Sequence, residues 1–140
     1  MLRRIIPGPI VFCLATALSG CATAPRDRVA YAFEIGVDPS LSYATNIRYQ
    51  YGELAEGTKP IAKPIGAPFA VARLEMTIPN DFEIAWDTPD GQSHNVTVPV
   101  RSRLKSSIKG KALLFLISHD SVHGYVVTQT DMGDQREQFY

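Results

Sequence analysis

The sequence predicts an all-β domain, an antiparallel β-sandwich of about seven short strands. Three observations predict it. Hydrophobic residues recur with period two in several short runs, as they do where successive side chains point to opposite faces. Turn-forming residues divide those runs at fairly even spacing. No ten-residue window carries a helical stripe.

The first run places Tyr31, Phe33, Ile35 and Val37 on one face, with Ala32, Glu34 and Gly36 on the other. Ile47, Tyr49 and Tyr51 repeat the pattern against Asn46, Arg48 and Gln50, and a third run sets Ala72, Leu74, Met76 and Ile78 against Arg73, Glu75 and Thr77. Phe82, Ile84 and Trp86 follow the Pro79-Asn80 break. Pro89-Asp90-Gly91 closes a hairpin, because proline presets φ and glycine accepts the positive φ that the turn needs. Val96, Val98 and Val100 point inward on the return strand, and Pro99, which donates no ladder bond, assigns that strand to an edge or a bulge. Leu113 to Ile117 is continuously apolar and too short for a helix, the pattern of a central strand covered on both faces. His119-Asp120-Ser121 turns the chain into a last strand through Tyr125 to Thr128. Seven such strands at this spacing give a sandwich that is immunoglobulin-like in outline, with a small open barrel as the alternative.

The N-terminus has a different grammar. Arg3 and Arg4 precede a mostly apolar stretch from Ile5 to Leu18, shorter than the roughly 20 apolar residues of a spanning helix and broken by Pro7 and Pro9. Leu18-Ser19-Gly20 then leads to Cys21, so residues 1–20 have the three parts of an export signal. An uncleaved anchor and plain secretion after cleavage near Ala22 or Ala24 are the competing readings. The four residues Leu18-Ser19-Gly20-Cys21 resemble the lipobox of bacterial lipoproteins. That resemblance covers the signal region alone. It implies cleavage before Cys21, acyl chains on its thiol, and membrane lipid as the first partner. Ala22, where the family uses aspartate for inner-membrane retention in enteric bacteria, implies an outer-membrane anchor facing the periplasm. The expected organisation is a signal peptide over 1–20, a lipidated tether over 21–29, a sandwich over 30–130 and a polar tail over 131–140.

The 120 residues after the signal suffice for one domain with a core of its own. They hold 12 Lys and Arg against 14 Asp and Glu, a net charge of −2 once Arg3 and Arg4 are removed. Nucleic-acid binders show a basic footprint instead, so no nucleic-acid partner is expected. The resemblance implies that Cys13 leaves with the signal and Cys21 is acylated, which would leave no thiol for a disulfide.

Candidate sites are few. His119 and His123, with Asp120 between them, have the i, i+4 spacing of weak zinc candidates, but they flank a turn and lack a further ligand, and exposed turn histidines explain them equally well. No Gly-x-Ser-x-Gly elbow occurs, and the only mature cysteine is used by lipid, so neither an enzyme nor a cofactor is expected. Residues 52–69 hold Pro60, Pro64 and Pro68 and the near-repeat around Lys59 and Lys63, reading as a connector between sheets or a docking loop. Arg101, Arg103 and Lys105 would share one face of an extended strand, either as a partner-binding stripe or as protection of a sheet edge. The sequence therefore points to a non-catalytic, protein-binding lipoprotein of the envelope, an immunity-type inhibitor of a toxin being its sharper form. A structural accessory of a secretion or cell-wall machine is the competing class, and a metal or small-ligand binder the third.

Overall fold

The computed structural model describes the backbone of residues 27–62 and 70–140 and, apart from 55–62, 70–72 and 74, their side chains. The expected signal peptide, Cys21 and Lys63 lie outside the described residues. Nine strands run through the rest: β1 Arg28–Val37, β2 Ala44–Tyr51, β3 Leu54–Ala62, β4 Ala70–Thr77, β5 Asp81–Asp87, β6 Ser93–Pro99, β7 Ala112–Ile117, β8 Val122–Thr130 and β9 Gly133–Gln138. A five-stranded sheet in the order β4-β1-β7-β8-β9 packs against a four-stranded sheet in the order β3-β2-β5-β6. The chain is all-β, a β-sandwich.

Every pairing is antiparallel except one. β1 and β7 run parallel, with Ala32 opposite Ala112 and Val37 opposite Ile117. Period-two alternation is blind to strand direction, so the larger sheet is mixed where the sequence suggested a purely antiparallel one. Strand order also departs from the immunoglobulin arrangement, in which the second strand lies between the first and the fifth. Here β2 lies between β3 and β5.

The alternating residues build the core. Tyr31, Phe33, Ile35 and Val37 from β1 are buried against Tyr51, Phe82, Ile84 and Trp86 of the opposite sheet. Phe33 stacks on Tyr51 at 4.2 Å between ring centroids, and Phe82 lies 4.3 Å from Phe115, spacings at which aromatic pairs add attraction beyond area burial. The hydroxyls of Tyr31 and Tyr51 meet at 2.9 Å across the sheets, and burial pushes the pKa of both tyrosines up. Trp86 is buried and stacks on its cross-strand neighbour His94 at 5.2 Å. Its indole Nε1 is the only buried side-chain polar atom without a partner among the described residues. β7 is the middle strand of its sheet, with Leu113, Leu114, Phe115 and Ile117 all buried and Ala112 and Leu116 partly so. β6 is an edge strand and ends at Pro99, where the missing amide costs no interior ladder bond.

Three expectations give way. Within residues 52–69, the stretch Leu54–Ala62 is strand, since β3 pairs with β2 from Leu54 opposite Tyr51 to Ala62 opposite Ala44, while 63–69 lie outside the described residues. β3 is an edge strand with a register shift opposite Ile47 and Tyr49, and an edge with a bulge accommodates the glycine and proline that read as loop formers. Lys59 therefore sits in a strand, opposite Ile47, rather than on a docking loop.

Residues 131–140, read as a polar tail, form β9 along β8 instead, from Gly133 opposite Thr130 to Gln138 opposite Tyr125. Phe139 then turns inward over Gly124 and meets Phe115 edge-on at 5.9 Å. A Cβ on Gly124 would lie 2.7 Å from the Phe139 ring, so glycine is what lets the ring seat there.

The Arg101, Arg103 and Lys105 stripe is the third correction. The amides of Arg103 and Leu104 both donate to Val100 O at 3.1 Å, which winds the chain into a turn as soon as β6 ends. Residues two apart then no longer share a face. Ile108, 1% exposed, pins the middle of this 100–111 segment into the core. The Gly110 amide donates to Ala30 O at 2.8 Å and aims the chain into β7.

Candidate functional site

The even-numbered residues of β1 point away from the core, and register carries that face across the larger sheet. Ala32 has Arg73 of β4 on one side and Ala112 of β7 on the other. Ala112 is followed by Val127 of β8 and Val127 by Arg136 of β9. One step along, Ala30 pairs with Glu75, and Gln129 with Asp134. The centre of the sheet thus carries small residues while its flanks carry long polar ones. The result is a groove.

Its volume is about 470 Å³. Ala30, Ala32, Gly110 and Ala112 form the floor. Glu34, Arg73, Glu75, Lys111, Gln129 and Asp134 form the walls, three carboxylates and two cations in one rim. Val127 also lines it, 7% exposed, and Leu114 beside it is 3% exposed although it lies on this outer face. No serine, threonine, cysteine or histidine lines the groove among the described residues. An apolar floor of alternating small residues between walls of mixed charge can take an extended chain or a flat side chain, with polar termini meeting the rim. The sequence signal was the small side of each alternation, Ala30 and Ala32, but the groove itself depends on register between strands far apart in the chain.

A second cavity, of about 340 Å³, opens near the start of β1 between Arg28, Met76, Pro79 and Arg101. Both arginines are engaged with main chain: Arg28 Nη2 donates to Glu75 O, and Arg101 Nε to Ile78 O at 3.0 Å. They brace the β4–β5 corner. Arg103 and Lys105 stay exposed on the turn after β6.

The histidine candidates lie at the other end of the sandwich. His119 Nε2 is 3.1 Å from Ser40 O, so its ring is used to tie the β7–β8 turn to the β1–β2 connection. His123 is half-buried on β8, opposite Leu116. Among the described residues no group of three or more metal-binding side chains is placed to hold an ion. The carboxylates here serve turns. Hydrogen bonds from Ser40 hold the Asp38 pKa below the usual carboxylate value, those from Asn46 and Ser93 do the same for Asp87, and that from Thr88 for Asp90. The Asn46 amide reaches Asp87 Oδ2 at 2.6 Å from a backbone with φ of 50°, a left-handed geometry that asparagine tolerates better than most residues.

No family model, no curated protein and no solved structure matches the chain.

Proposed function

We propose that the protein is a lipid-anchored lipoprotein of the bacterial envelope, held in the outer membrane through Cys21 and facing the periplasm. In this reading its sandwich binds a segment of another envelope protein and performs no chemistry itself. The anchor rests on the Leu18-Ser19-Gly20-Cys21 motif. The binding role rests on one observation, the groove floored by Ala30, Ala32, Gly110 and Ala112 and walled by charges of both signs. Such a rim suits a polypeptide with mixed charges, because opposite charges steer the correct partner in and like charges disfavour others. The partner surface is thereby moved from Lys59, Lys63, Arg101, Arg103 and Lys105 to the outer face of the five-stranded sheet.

A photo-crosslinking residue at Ala112, in intact cells, tests it. One dominant envelope protein should be captured, and Ala32→Arg, which fills the floor, should abolish that capture without unfolding the domain. Capture of the same abundant outer-membrane proteins and lipids by both forms would refute the groove as a binding site. The Cys21→Ser form reports separately on the anchor.

A further inference from the structure

Chain reversals at the two ends of the sandwich differ in charge. β1 begins, β2 ends, β6 ends and β7 begins at one end, which collects residues 52–53, 78–80, 100–111 and 131–132. The 100–111 segment alone supplies Arg101, Arg103, Lys105, Lys109 and Lys111 and no carboxylate. Against Glu53 and Asp131 of the neighbouring turns, that leaves a net charge of +3. At the opposite end, the described residues 38–43, 88–92 and 118–121 contribute Asp38, Asp90 and Asp120 and no Lys or Arg, a net of −3 with neutral histidine; Lys63, in the connection from β3 to β4, lies outside the described residues. The basic end also carries Met132, 92% exposed and the only large hydrophobic side chain so exposed among the described residues.

The anchor enters at that same end. Arg28, where β1 begins, is seven residues on from Cys21. Seven fully extended residue steps reach at most roughly 25 Å, so the start of β1, at the basic end, is kept within that distance of the bilayer. We propose that this end is a membrane-contacting surface, with Arg103, Lys105 and Lys109 on anionic phospholipid headgroups and Met132 dipping among them. The domain then stands upright. Its ten-residue β1, rising about 3.3 Å per residue, lifts the acidic, histidine-bearing end roughly 30 Å further from the lipid. The groove opens sideways, along the membrane plane. Cations near an anionic leaflet gain attraction that fades within a Debye length, so the seating is sensitive to salt. This inference rests on the lipid-anchor reading, since an unanchored domain would have no reason to meet one leaflet end-on.

The test uses the full lipidated protein recovered from the envelope and placed in vesicles containing phosphatidylglycerol or in vesicles of phosphatidylcholine alone. A fluorophore is attached at Ser102→Cys, on the basic end, or at Asp120→Cys, on the far end, and a headgroup-borne quencher reads proximity to lipid. The expected result is quenching at position 102 and not at 120, present with phosphatidylglycerol, lost in high salt and lost in Arg103→Glu/Lys105→Glu/Lys109→Glu. Equal quenching at both positions, or the same quenching in both lipids, would overturn the orientation while leaving the anchor intact. A mature N-terminal peptide without acyl mass at Cys21, and protein that leaves both kinds of vesicle, would overturn the anchor and the orientation with it.

Discussion

At the acidic end of the sandwich most of the carboxylates are consumed by the fold, whereas at the basic end most of the cations are left over, Arg101 on Ile78 O being the exception. Asp38 receives the Ser40 amide at 2.8 Å, and Asp87 receives Asn46 and Ser93, each at 2.6 Å. Asp90 is bonded by Thr88. These carboxylates shape short reversals that must turn tightly between β1 and β2 and between β5 and β6. The 100–111 segment is shaped differently, by main-chain bonds to Val100 and Ala30 and by the buried Ile108. Arg103, Lys105 and Lys109 are all exposed, and none of their side chains takes part in that shaping. Charge that the fold does not need at one end is free to meet something outside it.

Three measurements would break or sharpen that contrast. The largest effects belong to the apolar plugs under each end. Trp86→Ala, beneath the acidic end, should cost about 3–5 kcal/mol, and Ile108→Ala, beneath the basic end, about 2–5 kcal/mol, both by urea denaturation. Ile108→Ala should also speed amide exchange at Gly110 and Lys111; a slow, unchanged exchange there would mean that main-chain bonds alone hold the segment.

Acid should separate the ends next. The folded-state pKa values of Asp38, Asp87 and Asp90 are lowered, so their contribution is fully present above the unfolded carboxylate range, about pH 4. It is lost as pH falls through the lowered values. A variant carrying Asp38→Asn, Asp87→Asn and Asp90→Asn should start less stable at neutral pH and show a shallower loss below pH 4, read from urea midpoints. A wild-type and variant profile with the same slope would show that these hydrogen bonds contribute nothing to folding.

The smallest effect is expected where the charges are free. Arg103→Glu, Lys105→Glu and Lys109→Glu should each change stability by less than about 0.5 kcal/mol, as surface substitutions away from structural features do. A larger loss would mean that the basic end is also built into the fold.

How much of this was legible in the sequence follows the same division. Where one face of a strand is buried and the other is wet, as in β1 or β5, alternation named both strand and facing. Pro99 at an edge and the apolar run of β7 at a sheet centre were readable for equally physical reasons. β9 was not, because every one of its six residues is exposed and its pairing with β8 is made by backbone, which side-chain pattern does not encode. The basic stripe misled because spacing by two has meaning only in an extended chain, and the bonds to Val100 O end the extension. The groove escaped because it is a property of register: Ala30 and Ala32 look like ordinary strand residues until Ala112 is laid beside them.

That same register has a temporal side. Ala32 and Ala112 are 80 positions apart, and β1 has β4 on its other side. The earliest strand to emerge from any N-to-C delivery of the chain must therefore wait with one edge open until the seventh arrives. Non-local pairing of this kind folds slowly, in the range of milliseconds to seconds, and an open edge is a template for the wrong strand in the meantime. In the proposed reading, where the chain is exported and anchored through Cys21, the interval between arrival and closure is a window in which assistance, or interference, can act.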